Sequence, residues 1–593
     1  MYKSKKRKIR ILALVLSLTV LSFSMSAAAT VAPPAAPDGT PPGGMGTSPE
    51  GAGAPPSGGA DTMTYDYTGA LNGVLSVGAG QQLASRDASI GATDPDQNAA
   101  LVQAGGVLSV TNGTLHKTGD DTNGDNCNFY GINSIFLATG ENTHGAISNS
   151  DLTSESEGSN GIFSTDKAEV FAKGNAIHTS GNNSRGMDAT YGGTIIADDI
   201  SITTMGEHCA AIATDRGGGK ISATNSSLNT TGSGSPLLYS TGNIQVDHVT
   251  GTANGSQIAG MEGLNTILIF NSDLKSTIEG KTASDPVANG IIIYQSTSGD
   301  AEAATGETAT FQAVNSQLTS AITSGAMFYV TNTNANILLS GSVLDFDSKE
   351  AKLLRIEGNN SNNWGTAGAN GGKVKFTARN ETLTGDISVD TISSLDLYLL
   401  DVSTYMGTIA LKEAEEEEEK QEDNISVSIG GDSKWIVTAN STIANLSMEE
   451  GASIEDPNGN AVTVMKNGET VVSGNSTFTV TVTNQLNSSI AADASNEVNW
   501  DVIDRGEFDT YYECATTFGE NGQVELTPTE IVVNSEEDDT AEAAENKSAK
   551  KQLAVDVAIA VAVCALIGLL LYRRKKARAK KSASEKNDEK ETK

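Results

Sequence analysis

"GGKISATNSSLNTTG", Gly218–Gly232, places apolar residues at Ile221, Ala223 and Leu228, a turn at Asn225-Ser226 and a stop at Gly232. Variants of this stretch recur down the chain. One apolar residue per N-x-x-L unit serves as an anchor: Leu115, Leu152, Ile177, Ile202, Leu228, Val249, Leu274, Leu318 and Val343. Successive anchors are 37, 25, 25, 26, 21, 25, 44 and 25 residues apart, a period near 25 with insertions. Such a period is the mark of a solenoid.

The register around the anchor selects the kind of solenoid. Five residues earlier stand Val110, Ile147, Ala172, Ala197, Ala223, Ile244, Ile269, Ala313 and Leu338, all apolar. Two residues before those, Leu108, Val170, Ile195, Ile221, Ile267 and Phe311 are large and apolar as well. Apolar residues at i and i+2 with polar ones between are strand periodicity, and the i, i+3, i+4 spacing of helical repeats is absent. Three residues before the anchor stand Asn112, Asn149, Asp199, Asn225, Asn271 and Asn315. Stacked at the strand spacing of about 4.8 Å, these side chains are expected to form a hydrogen-bonded ladder, in the left-handed conformation that Asn tolerates at sharp bends. Each copy is one coil that cannot bury its apolar face alone, and stacking buries it.

The ends set an expected topology. Lys3, Lys5, Lys6, Arg7, Lys8 and Arg10 precede the apolar run Ile11–Val20 and the small residues Ser26–Ala29. That order reads as a secretory signal peptide over 1–29, an N-terminal anchor being the alternative. Residues 30–64 are Pro/Gly-rich, with eight of the thirteen prolines between Val31 and Ala60, and read as a disordered leader. The β-helix is assigned to 65–480, a cap and membrane-proximal β segment to 481–534, and an acidic linker to 535–552. Leu553–Tyr572 is long enough for a transmembrane helix, and the basic tail 573–593 makes the cytoplasmic side. The expected location is the bacterial cell membrane, single-pass, with the N-terminal part outside.

The whole chain has a formal net charge of −34. The segment between signal and tail holds 69 acidic against 23 basic residues, which argues against nucleic acid and anionic lipid as partners. Four cysteines, Cys127, Cys209, Cys514 and Cys564, make no disulfide framework. The run Glu413–Asp423 ("EAEEEEEKQED") is too charged for a packed strand and reads as a loop.

Units such as "GMDATYGGTIIADDISITTMG", from Gly186, and "AAIATDRGGGKISATNSSLNTTG", from Ala210, resemble the pectin-lyase-like parallel β-helices of bacterial surface adhesins and autotransporter passengers, over residues 70 to 480. The chain departs from autotransporters in ending on a helical anchor rather than an outer-membrane barrel. The resemblance implies an all-β fold: a right-handed parallel β-helix solenoid of about 25 residues per coil, with about 12 to 16 coils and a length of some 60 to 75 Å.

The same fold hosts polysaccharide lyases and hydrolases, so chemistry has to be sought in residues. Asp198, Asp199, His208, Arg216 and Lys220 fall within two coils, but neighbouring Asp198 and Asp199 point to opposite faces of a strand, whereas glycoside hydrolysis needs two facing carboxyls. Asp121, Asn123 and Asp125 match the first alternate oxygen ligands of a Ca²⁺ loop, yet Asn126 replaces its Gly and Ile132 its bidentate Glu. His116, His144, His178, His208 and His248 lie in separate coils without zinc-site spacing. Trp364, Trp435 and Trp500 are candidates for stacking on sugars, with Trp435 more simply a core or cap residue. No catalytic residue and no cofactor is assigned, Ca²⁺ being the one candidate. The function expected is a non-catalytic surface adhesin or recognition protein for an extracellular glycan or a host or cell-surface protein. A carbohydrate-active enzyme and a purely structural envelope protein are the alternatives.

Overall fold

A computed structural model describes residues 64–296, 308–361, 364–416, 418, 420–516 and 518–519. The signal peptide, nearly all of the leader, the acidic linker, the transmembrane helix, the basic tail and Cys564 lie outside the described residues.

The fifteen-residue unit folds as the strand Lys220–Thr224, a corner at Asn225, and the strand Ser227–Thr230. A third strand per repeat, here Ile212–Thr214, precedes them. Repetition stacks these into a parallel β-helix. The first sheet has thirteen parallel strands from Asn72–Val77 to Ile409–Lys412. The second runs as an open ladder from Gln82–Arg86 through Lys220–Thr224 to Thr479–Asn487 and the hairpin beyond it. The third has ten strands, and a four-stranded sheet continues its position over Thr382–Glu455.

Register explains why the apolar pattern has two rows. On the second sheet Leu108, Gly145, Val170, Ile195, Ile221, Ile244, Ile267 and Phe311 stand in one column, and Val110, Ile147, Ala172, Ala197, Ala223, Val246, Ile269 and Ala313 in the next. Both columns are buried and face the third-sheet column of Leu115, Leu152, Ile177, Ile202 and Leu228. Each buried aliphatic side chain contributes about 1.5–3 kcal/mol of transfer free energy.

Two repeats depart from the expected register. Leu228 pairs with Gly251 rather than Val249, and Leu318 with Leu344 rather than Val343. Val249 sits just past the corner residue His248, fully buried, and Leu237 packs where a side chain at position 251 would stand. A Cβ on Gly251 would lie 2.7 Å from Leu237 Cδ1, so the repeat has moved its apolar bulk two positions back. By the same slip Ile244 belongs to the column of Ile221, and Leu339, not Leu338, to that of Ala313.

Of the segment 481–534, read as a cap and membrane-proximal β segment, the described residues divide differently. Thr479–Asn487 is a strand of the second sheet, after which the chain returns along that sheet's outer face as a strap. Tyr398 reaches Ala491 O, Lys375 pairs with Asp493, and the Gln312 and Gln245 amides each bond both N–H and C=O groups of the strap. Arg505 donates to Ser222 O, Thr224 Oγ1 and Ala197 O, and Phe508, fully buried, meets Phe171 edge-on. The helix Gly506–Tyr512 ends this run, with Tyr512 at Phe171 O, and Gly519 N then donates to Asp247 Oδ2. The strap covers an apolar stripe of outward residues, including Leu268, Phe270 and Val314, against Val498, Val502 and Phe518.

Candidate functional site

The corner between second and third sheets repeats one conformation. Asn112, Asn149, Asp199, Asn225, Asn271 and Asn315 all have positive φ, between 45° and 57°. Their side chains do not form the continuous ladder. Asn112 makes one such rung, donating to Asp87, the corner residue of the preceding coil, whereas Asn225 and Asn271 donate to Asp198 and Asp247, one residue before the corner. The ladder runs one residue further on, where each oxygen accepts the backbone N–H of the coil before. Ser316 Oγ accepts from Ser272 N, Ser342 Oγ from Ser316 N, Glu381 Oε1 from Ser342 N, and Ser403 Oγ from Glu381 N. The reason is geometric: the left-handed residue turns its own side chain outward and aims its successor's along the stack. The Ser of each Asn-Ser pair was the signal in the sequence.

A second ladder crosses the opposite corner: Ser159 N to Ser184 Oγ, Ser184 N to Cys209 Sγ, Cys209 N to Ser235 Oγ. Cys209 thus stands in a serine position. Cys127, Cys209 and Cys514 are free thiols.

Outside the first corner lies an open groove of about 640 Å³ crossing five consecutive coils at Asn149, Gly174, Asp199, Asn225 and His248. Its lining is mostly polar, with amides and hydroxyls, the carboxylates Asp151 and Asp199 and the imidazole of His248 beside Ala176 and Ile200.

The other residues singled out in the sequence do not converge. Asp198 faces outward on the second sheet with Lys173, Thr224 and Asn225. Burial alone would raise its pKa, but these hydrogen bonds outweigh it and hold the carboxyl below the usual range. Arg216 stacks on the Phe129 ring at 3.7 Å, and Lys220 is exposed. His248 Nδ1 meets Asp247, and His144 meets Glu169. Asp121 accepts from Asn123 N in a local turn, and burial pushes its carboxyl up to about 6. Asp125 precedes the short helix Asn126–Tyr130. Among the described residues no group of three or more His, Cys, Asp or Glu side chains is arranged to hold a metal ion. Trp435 is fully buried and donates to Gly407 O, Trp364 is nearly buried on Tyr294, and Trp500 is 55% exposed on the strap.

The outer face of the first sheet carries polar clusters that the repeat pattern did not reveal. Arg185 Nη1 lies 2.7 Å from both Asp188 and Asp215, all three buried. Burial raises the Asp188 carboxyl to about 7, against the lowering effect of Arg185. Further along, Tyr239 and Tyr294 donate to Glu262 Oε2 at 2.9 and 3.1 Å. Beyond these, Glu357 is held by Arg355 at 2.8 Å, Ser388 at 2.7 Å and Lys412 at 3.1 Å. No protein family, curated protein or solved structure matches this chain. The parallel β-helix therefore stands on the register of the strands, and any activity has to be argued from these side chains. Their arrangement pairs the acids with cations and hydroxyls, Asp188 Oδ1 being left without a hydrogen bond. One guanidinium nitrogen bridges Asp188 and Asp215, so a sugar bond has no room between them, as hydrolysis by two carboxyls would need.

Proposed function

We propose that the chain is a non-catalytic recognition protein of the surface-adhesin type, which presents the flank of its β-helix to an extracellular glycan. The observation that carries this reading is the corner groove. It lines five successive coils, spaced by the strand separation of about 4.8 Å, with polar groups whose identity varies from coil to coil, among them Asn149, Asn175, Asp199, Asn225 and His248. A polymer of sugar rings repeats on a similar length scale, so many weak contacts can be made in register and sum to useful avidity. An acidic chain attached to the membrane by its C-terminal segment, as the sequence predicts, holds that flank outside the cell. The pairing of Asp188 and Asp215 by Arg185, and of Glu357 by Arg355 and Lys412, supports recognition over hydrolysis at these clusters.

The test is retention of the full chain, in detergent, on immobilised neutral and acidic polysaccharides, with new reducing ends and unsaturated products followed with and without Ca²⁺. Retention without turnover is expected. Turnover on any substrate replaces the reading with a carbohydrate-active enzyme, and neither retention nor turnover leaves a structural envelope protein.

A further inference from the structure

A cavity of about 250 Å³ opens on the outer face of the first sheet, far from the corner groove. It lies between the insertion following Ile356 and the acidic loop that begins at Glu413. Register builds its floor. Tyr329, Arg355 and Ser388 stand in one outward column, and Asp390 pairs with Lys412 in the next.

Two of the lining side chains end in acceptors that nothing fills. Asn370 is 1% exposed, and its Nδ2 donates to Asn359 O and Trp364 O, both at 2.7 Å. Those two carbonyls fix the amide's orientation, because the flipped amide would set oxygen against oxygen. Asn370 Oδ1 is therefore the atom left over, buried and without a partner. Asp390 is 4% exposed, and its Oδ2 accepts from Gly358 N at 2.7 Å while Oδ1 is buried without a hydrogen bond. One donor is left over too: Arg355 commits its Nη2 to Glu357, and its Nε is buried without an acceptor. Buried polar groups are nearly always satisfied, so three vacant ones around a single cavity ask for an occupant.

The chemistry of that occupant follows from the set. It must donate twice and accept at least once, which hydroxyl groups do and an ammonium group cannot. It must be small, since the cavity admits about one sugar ring. It must also lack negative charge, because Glu413, Glu415 and Glu416 line the same cavity and Glu357 has already taken up Arg355 and Lys412. We propose that this cavity binds one ring of a neutral, hydroxyl-rich saccharide, whose hydroxyls donate to Asp390 Oδ1 and Asn370 Oδ1 and accept from Arg355 Nε. The inference rests on the glycan-recognition reading, and gives it a sugar class and a second site.

The experiment titrates the full chain in detergent, by calorimetry, with neutral glucose and N-acetylglucosamine oligosaccharides and with oligogalacturonate. Two variants accompany it. Asp390→Asn removes the charged acceptor without changing shape, and Arg355→Lys keeps the cation for Glu357 but deletes Nε. Neutral oligosaccharides are expected to bind the native chain, oligogalacturonate at least about tenfold more weakly, and each variant to lose about tenfold in affinity. The melting temperature of each variant separates lost binding from lost folding, and either variant that folds suffices. Unchanged affinity in a folded variant overturns the cavity and leaves recognition elsewhere standing. Uronate bound as tightly as neutral sugar overturns the assignment of class. A chain retained on a polysaccharide column but silent toward every oligosaccharide overturns the cavity alone, whereas absence of both signals overturns the recognition reading with it.

Discussion

At the scale of single residues, the coil spacing leaves some positions no freedom. A Cβ on Gly232 would lie 1.7 Å from Gly206 O, and one on Gly206 2.1 Å from Gly181 O, so the turn glycines stack backbone on backbone. Gly232→Ala is expected to cost about 3 kcal/mol or more, read as a lower urea midpoint. Cys209 gives the complementary case. Cys209→Ser keeps an acceptor for Ser184 N and should stay within about 1 kcal/mol of the native chain. Cys209→Val leaves that buried N–H unpaired and should cost about 1–3 kcal/mol. Asp285 predicts a pH dependence. Burial pushes its carboxyl up to about 7, with Asn289 lowering it only in part. The folded chain thus holds this proton more tightly than the unfolded one between about pH 4 and 7. The group's contribution to stability is greatest below that window, falls as pH rises through it, and levels off above. Asp285→Asn should leave the urea midpoint unchanged near pH 4 and raise stability at pH 8 by roughly 2–4 kcal/mol, and a midpoint unmoved at pH 8 would refute the buried ionisation.

At the scale of elements, strands were legible and the strap was not. Ile221, Ala223 and Leu228 announce their rows because the alternation recurs in most coils, and the errors arise where the local sequence offers a neighbouring apolar residue, Val249 ahead of Gly251 and Val343 ahead of Leu344. The corner was legible in its conformation, since Asn225 and its counterparts sit at positive φ, but not in its hydrogen bonds. A one-residue shift of the ladder from Asn to Ser depends on where the bend aims each side chain. The cavity lining had no signal at all, because Asn370, Asp390 and Arg355 come from three separate segments and meet only after stacking. The strap escaped for a related reason: Gln245, Gln312 and Phe171 face outward, and only the return of the chain after residue 488 buries the two amides and half-buries the ring. Phe508→Ala should test that docking. Deleting a fully buried ring costs about 3–5 kcal/mol, more than a short strap is expected to spare. Limited proteolysis should then cut near residues 488–519 while far-ultraviolet dichroism keeps the native strand signal; protection unchanged from the native chain would show that the strap is held elsewhere.

At the scale of the whole molecule, a solenoid and a strap impose opposite kinds of cooperativity. Coils touch only their neighbours, so a bare β-helix unfolds as a chain of nearest-neighbour interactions in which ends and weak coils open first. The strap breaks that locality. It ties the strand Ser394–Leu400, through Tyr398, to Glu169–Lys173 and His144–Ser148, through Tyr512, and it touches several strands between. Opening any coil under it requires releasing part of the strap, and releasing the strap exposes Leu268, Phe270 and Val314 to water. Coils distant in sequence therefore share one free-energy cost, and the native chain should unfold in urea in one steep transition over residues 144–400, with amide protection nearly uniform across the second sheet. The double variant Arg505→Ala/Phe508→Ala removes two buried anchors of the strap without touching the columns of the core. Its transition should broaden, with a lower apparent m-value, and hydrogen exchange should show coils opening in groups, because the nearest-neighbour behaviour of the solenoid is restored. A variant transition as steep as the native one would place the cooperativity in the stacked columns themselves and reduce the strap to a cover for the apolar stripe.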